Sequence, residues 1–223
     1  MAEFVAVPTK TLRPLPAGLP LDLAGLAQPL AVGIHADRRS GAHEGDRVVI
    51  IGAGAIGSFV LAGLRHLGDF DITVIDFPGS RLERATRLGA DRTLTPSQSL
   101  GADVTDALGR KPDVVIEASG APGQLTAALD MVVDGGRVHA VGIPKEKPAL
   151  DLHSMVFREI TLDTTLAHVC DTDLPAALHI LAADPVLGIE FAETPVGLAH
   201  LGPSLDRLAA GQVDRKILVD PGA

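Results

Sequence analysis

The chain has 223 residues, 46% hydrophobic and 21% charged, enough for one large domain or one domain with pieces of another. Its formal net charge is −9 with no basic block, so neither nucleic acid nor an anionic membrane surface is an expected partner. With no Tyr there is no Tyr-x-x-x-Lys proton relay, and with Cys170 as the single Cys there is no internal disulfide and no multi-cysteine zinc site.

The first residues, Met1-Ala2-Glu3-Phe4, carry no positive charge and lead into no apolar cleavage segment, so a signal peptide is not expected. With a single thiol, this makes the expected compartment cytoplasmic. Phe4-Val5-Ala6-Val7 reads as a strand ended by Pro8. A Pro-rich passage follows, and 21–38 has helical spacing with Pro29 in its first turn or at a kink.

From Asp46 strands and helices alternate. Val48-Val49-Ile50-Ile51 is a continuous apolar run, the pattern of a strand buried on both faces. A helix to about Leu67 follows it. The uncharged stretch from Val48 to Leu64 approaches the length of a membrane span, but Gly52, Gly54 and Gly57 break it into strand, turn and helix. Further strands are expected at 72–75, 113–117, 136–141 and 159–165. Helices are expected at 81–88, closed by Gly89, and at 124–133. This order predicts an α/β fold with a doubly wound parallel sheet. After Leu166 the alternation stops. Helices at 174–183 and 205–210 and a short strand at 216–219 complete the pattern. Three segments result: 1–45 and 166–223 as parts of a second domain, and 46–165 as the α/β domain.

Gly52-Ala53-Gly54-Ala55-Ile56-Gly57 is G-x-G-x-x-G placed directly after a buried strand and before a helix. Gly52 permits the tight turn, Gly54 a close approach of backbone to a pyrophosphate, and Gly57 close helix–strand packing. The pyrophosphate would sit on the helix N-terminus, with its free N–H groups. Asp76 ends the next strand, 19 residues after Gly57, where an acid accepts the adenosine ribose hydroxyls of NAD and repels a 2′-phosphate. Arg81 is the one nearby feature that suits NADP, and the closer Asp76 favours NAD. The plainer alternative is a glycine turn in an α/β domain that binds nothing.

These residues resemble the C-terminal part of a zinc-dependent medium-chain dehydrogenase, of the polyol, 2,3-butanediol and threonine dehydrogenase branch. The resemblance is carried by AEFV (2–5), PLAVGIHA (29–36), Arg38-Arg39, Gly45-Asp46, GAGAIG (52–57), Arg81-Leu82 through Asp91, Glu117-Ala118-Ser119-Gly120 and KILVDP (216–221). It implies a Rossmann domain flanked by remnants of a GroES-like catalytic domain. It places Gly120, Val141, Gly142 and Ile143 along the nicotinamide ribose and carboxamide. It implies a small alcohol or polyol substrate and a homodimer or larger assembly through the edge strand at 159–165. The segment carrying the Cys and His-Glu zinc ligands would precede Met1, making Met1 an internal residue of the longer pattern. Gln28 stands where the family usually has Glu beside the catalytic zinc. No metal site is therefore expected in this chain, and no catalytic residue is assigned.

Other residues take plainer readings. His35 reads as a helix-packing residue, His168 as part of a surface loop, and Cys170 as a buried or half-buried free thiol. Asp171 and Asp173 read as caps of the helix after them. The leading expectation is an NAD(H)-binding oxidoreductase polypeptide, inactive on alcohols by itself. The alternative is a non-catalytic dinucleotide-binding module or partner subunit.

Overall fold

The computed structural model describes residues 2–223; Met1, read above as internal to a longer pattern, lies outside the described residues. In chain order the elements are α1 (Ala27–Ser40), β1 (Arg47–Ile51), α2 (Ala55–Leu67), β2 (Asp71–Ile75), α3 (Ser80–Arg87), β3 (Arg92–Leu94) and α4 (Leu100–Leu108). They continue with β4 (Val114–Glu117), α5 (Gln124–Met131), β5 (Arg137–Ala140), α6 (Leu152–Phe157) and β6 (Thr161–Thr164). The last are α7 (Asp173–Ala183), α8 (Val186–Phe191), β7 (Val196–Gly197), α9 (Leu201–Ala209) and β8 (Val219–Asp220). Contacts group these residues into two compact units, Val32–His168 and a smaller one made of the residues up to Ala31 with Val169–Ala223.

The larger unit holds a six-stranded sheet in the order β3-β2-β1-β4-β5-β6, with every pairing parallel. This is the doubly wound Rossmann arrangement, with its switch point between β1 and β4. The alternate residues of the central strands divide between two cores. Val48, Ile50, Ile72, Val74, Val114 and Ile116 pack with Val60, Leu61 and Leu64 of α2 and Leu82 and Ala85 of α3. Val49, Ile51, Ile75, Val115 and Val138 pack with Val104 of α4 and Ala128 and Met131 of α5. A strand covered on both faces has no polar side to show, which explains the uninterrupted apolar run in β1. Each such Val or Ile, fully buried, contributes about 1.5–3 kcal/mol.

Two glycines let α1 and α2 approach within the larger unit. A methyl on Gly33 would lie 2.6 Å from the Phe59 carbonyl carbon, so the two backbones touch there. A methyl on Gly63 would lie 2.0 Å from Asp37 Oδ2, so the carboxylate fills the notch this glycine leaves.

Several elements differ from the sequence reading. Residues 4–7 form no strand; Phe4 and Val5 are 88% and 82% exposed, and an apolar run without a partner edge cannot make a ladder. β3, α4, α6 and α8 had not been expected. β3 is only three residues long, Arg92-Thr93-Leu94, too short for a periodicity. α4 did carry a signal, buried Leu100, Val104 and Leu108 at successive i+4 positions, obscured by Gly101, Asp103 and Thr105 between them.

The smaller unit buries Leu26, Leu30, Ala177, Leu178, Leu181, Leu187 and Phe191. A methyl on Gly188 would lie 2.7 Å from the Leu23 side chain, so α8 sits closely on the 3₁₀ turn at Leu23–Leu26. β7 and β8 pair in parallel, Val196 with Val219. The expected acidic caps of α7 are not used as caps. Asp171 pairs with Arg13, and Asp173, buried inside the first turn, accepts the Val169 N–H at 2.7 Å.

Candidate functional site

The glycine-rich turn joins β1 to α2 at the carboxyl end of the sheet. Gly52 has φ +101°, a left-handed conformation suited to glycine, and its α-carbon faces Ser119 at the start of the next turn. A methyl on Gly57 would lie 1.8 Å from the Gly52 carbonyl oxygen. Gly54 is different: a methyl there meets nothing within 4 Å, so the chain leaves an open cradle at the N-terminus of α2. Ala55 and Ile56, half-buried, form the first turn of that helix, whose first N–H groups have no intrahelical acceptor.

Side chains fix the turn from below. Asp76, 9% exposed at the end of β2, accepts the Ala53 N–H on Oδ2 at 2.7 Å and the Phe77 N–H on Oδ1 at 2.7 Å. The Ala53 carbonyl accepts from Ser58 Oγ at 3.1 Å and from the buried Arg84 Nη2 at 3.2 Å. The Ala53 peptide is therefore held on both sides. Each Asp76 oxygen keeps a second lone pair for an outside donor. Arg81 Nη1 lies 3.9 Å from Asp76 Oδ2 on an exposed side chain.

A second pair of turns follows β4 and β5. Glu117, 2% exposed at the end of β4, accepts on Oε1 the N–H of Ser119 at 2.8 Å, the N–H of Gly120 at 2.9 Å, and the Ser119 hydroxyl. Its backbone carbonyl accepts the N–H groups of Val141 at 2.8 Å and Gly142 at 2.9 Å. Gly120 has φ +62°, and a methyl on it would lie 2.6 Å from the Ile143 carbonyl oxygen. The two turns open onto a cleft of about 610 Å³, lined among others by Glu117, Gly120, Val141, Gly142, Ile143 and Leu162.

The structure thus gathers Gly120, Val141, Gly142 and Ile143 around one cleft. It gathers Gly52, Gly54, Ala55, Ile56, Gly57, Asp76 and Arg81 around the first turn, with the Gly52–Ser119 contact joining the two groups. Sequence reasoning named Glu117 as a strand end within the motif 117–120 but gave no site role to it, to Arg84 or to Ser58. A usable signal existed for Glu117, since an acid ends the apolar strand VVIE as Asp76 ends ITVI.

A zinc ion bound by three protein ligands does not fit these residues. Among the described residues no group of three or more His, Cys, Asp or Glu side chains comes together to hold a metal. Cys170 is exposed, not buried or half-buried as its residue type suggested, and Gln28 is exposed. His35 is half-buried on α1, and His168 is half-buried and not one of the residues lining the cleft. Among the described residues no helix is long and apolar enough to cross a membrane.

Beside the sheet edge lies a cluster with no evident ligand. His139 of β5 is fully buried with neither ring nitrogen hydrogen-bonded, and its Nδ1 is 3.9 Å from Asp163 Oδ2 on β6. Arg39 of α1 grips both Asp163 oxygens at 2.8 Å and holds that carboxyl below its usual range. Burial pushes His139 down to about 4, and Asp163 opposes this while Arg39, His35 and Arg137 add to it. On α1 both carboxylate oxygens of the buried Asp37 lack partners, and burial pushes that carboxyl well above the usual range against the pull of Arg38.

Several proteins similar to this chain are dehydrogenases. Human sorbitol dehydrogenase is 34% identical over 176 residues, 77% of this chain and 49% of the relative. L-threonine 3-dehydrogenase of Aeromonas salmonicida is 33% identical over 159 residues, 70% of this chain and 46% of the relative. The chain spans about half the length of the curated relatives it matches. The crystal structure of 2R,3R-butanediol dehydrogenase from Bacillus subtilis superposes with a TM-score of 0.85 at 25% identity, covering 93% of this chain and 60% of that one. A family model described as zinc-binding dehydrogenase matches residues 55–183, from the start of α2 to the end of α7. By that match, and by the Rossmann sheet it shares with the butanediol enzyme, the chain belongs to the zinc-binding dehydrogenase family.

Proposed function

We propose that this chain is the NAD(H)-binding part of an alcohol or polyol dehydrogenase. The observation that carries the reading is the open cradle at Gly54, backed by the buried Asp76 carboxylate at the end of β2. Gly54 and the first-turn amides of Ala55 and Ile56 would face the pyrophosphate. Asp76 would accept the adenosine ribose hydroxyls, with Arg81 beside it. Gly120, Val141, Gly142 and Ile143 would line the nicotinamide half. When bound, the dinucleotide supplies a hydride acceptor or donor. The chain's own residues bind it, orient it and present one face of it to the cleft.

The sorbitol, threonine and butanediol dehydrogenases it resembles support a small alcohol or polyol as substrate. No step through zinc is assigned to these residues, and the chain alone is expected not to turn over alcohols. The family match favours the oxidoreductase reading over a non-catalytic module. Segments 1–45 and 166–223 are read as parts of a catalytic domain and 46–165 as the dinucleotide domain. The single Cys suits a cytoplasmic location. A homodimer or larger assembly is supported by the edge strand β6, where Leu162 is half-buried, and by exposed Leu152, Val156 and Phe157 on α6.

The test is cofactor titration followed by NADH emission. Wild type should bind NADH in preference to NADPH. Asp76→Ala removes a charge-assisted bond of roughly 1.5–3 kcal/mol, weakening NADH binding roughly 10- to 100-fold. Asp76→Asn keeps the side-chain volume and one acceptor oxygen, enough for the Ala53 N–H or the Phe77 N–H but not both, so urea stability measured beside affinity separates the ribose contact from loosening of the turn. Equal wild-type affinity for NADH and NADPH would overturn the assignment.

A further inference from the structure

We infer that Glu117 is a positioning residue for the nicotinamide half of the site, setting the spacing between the Ser119-Gly120 and Val141-Gly142 turns. The inference rests on the NAD(H) reading above and deepens it.

Glu117 bonds to both turns at once. Its Oε1 collects three donors from Ser119 and Gly120, while its own carbonyl collects the N–H groups of Val141 and Gly142. The register that pairs Glu117 with Ala140 brings the second turn within reach of the first. The turns then meet with no space to spare. A methyl on Gly142 would lie 2.3 Å from the Gly120 nitrogen and 2.6 Å from Glu117 Oε2.

A backbone in these glycine conformations has several alternatives of similar energy. The buried side chain selects one of them, because moving the first turn would take three donors from Glu117 Oε1 and moving the second would leave its backbone carbonyl unpaired. Glu117 also lines the cleft, so a shift of this side chain changes the wall a ligand meets. Asp76 performs the corresponding task under the first turn, where it takes the Ala53 N–H. In both halves an acid at the end of a parallel strand folds back to hold the turn that approaches the ligand.

The role predicts a split between the two halves of the dinucleotide. ADP contains the adenosine and the pyrophosphate but neither the nicotinamide nor its ribose and should be insensitive to Glu117, whereas NADH should not be. Calorimetric titration of wild type, Glu117→Leu, Glu117→Gln and Gly142→Ala with both probes tests this. Glu117→Leu is expected to weaken NADH at least about tenfold and to leave ADP within about twofold. Glu117→Gln, which keeps an acceptor oxygen for the three donors, should recover most of the NADH affinity. Gly142→Ala disturbs the same junction from the other side, should reproduce the split, and decides the matter if Glu117→Leu does not fold. Equal weakening of both probes, or no weakening of NADH, in the folded variants would overturn the positioning role. Wild type that binds neither probe would instead refute the NAD(H) reading itself.

Discussion

Acid sensitivity is built into the sheet at His139. Across one row the partners run Val74, Ile50, Ile116, His139, Asp163, so a ring occupies a place that three apolar side chains lead up to. His139 is fully buried without a hydrogen bond to either nitrogen, and burial lowers it from 6.5 to about 4. The unfolded chain takes up the proton near pH 6.5 and the folded chain only near pH 4. Stability from this group is therefore intact above pH 6.5 and is lost as pH falls through that window. At about 1.4 kcal/mol per tenfold the full loss is about 3 kcal/mol, of which about 2 kcal/mol is already gone at pH 5. His139→Leu, similar in volume, removes the titration and the two unpartnered nitrogens. The chain has no Trp or Tyr, so urea unfolding is followed by far-UV circular dichroism at pH 7.5 and pH 5. The variant should match or exceed wild type at pH 7.5, and its advantage should grow by about 2 kcal/mol at pH 5. Asp37 and the surface acids titrate in both proteins and cancel in the difference. An advantage of the same size at the two pH values would show that His139 does not titrate in this window.

Asp37 has the opposite sign. Its folded pKa is raised, so its contribution is complete below the unfolded value near 4 and is lost as pH rises toward the folded value. Asp37→Asn should gain about 1–3 kcal/mol on wild type as pH rises, and parallel unfolding profiles from pH 5 to 9 would contradict this. Gly54→Ala and Gly57→Ala should separate binding from folding. The first meets no atom of the protein, so stability should hold within about 0.5 kcal/mol while NADH affinity falls at least about tenfold; unchanged NADH affinity would argue that no ligand enters the cradle. The second drives a methyl into the Gly52 carbonyl and should cost about 1–3 kcal/mol in urea midpoints as well as affinity. Sedimentation at micromolar concentration should show a dimer or larger, and a clean monomer would remove the case for pairing at the β6 edge.

The sequence by itself determined what neighbouring residues decide. A buried strand, a glycine turn, a helix and an acid ending the next strand occur within 48–76, and each carries its own local signal of periodicity or turn chemistry. The parallel order followed from alternation alone. The presence of Gln28 and of a single Cys was also legible, since these are matters of residue identity. Tertiary structure decided whatever depends on partners far apart in the chain. Glu117 reads locally as the end of a strand, and only the register of β4 on β5 brings the Val141-Gly142 turn onto its carbonyl. Arg84 reads as one more basic residue on an amphipathic helix until α3 packs and aims it at Ala53, 31 residues away. His139 and Asp37 read as an ordinary strand histidine and helix aspartate. Their ionisation is set by burial, and burial is a property of the packed unit, which no window of sequence contains.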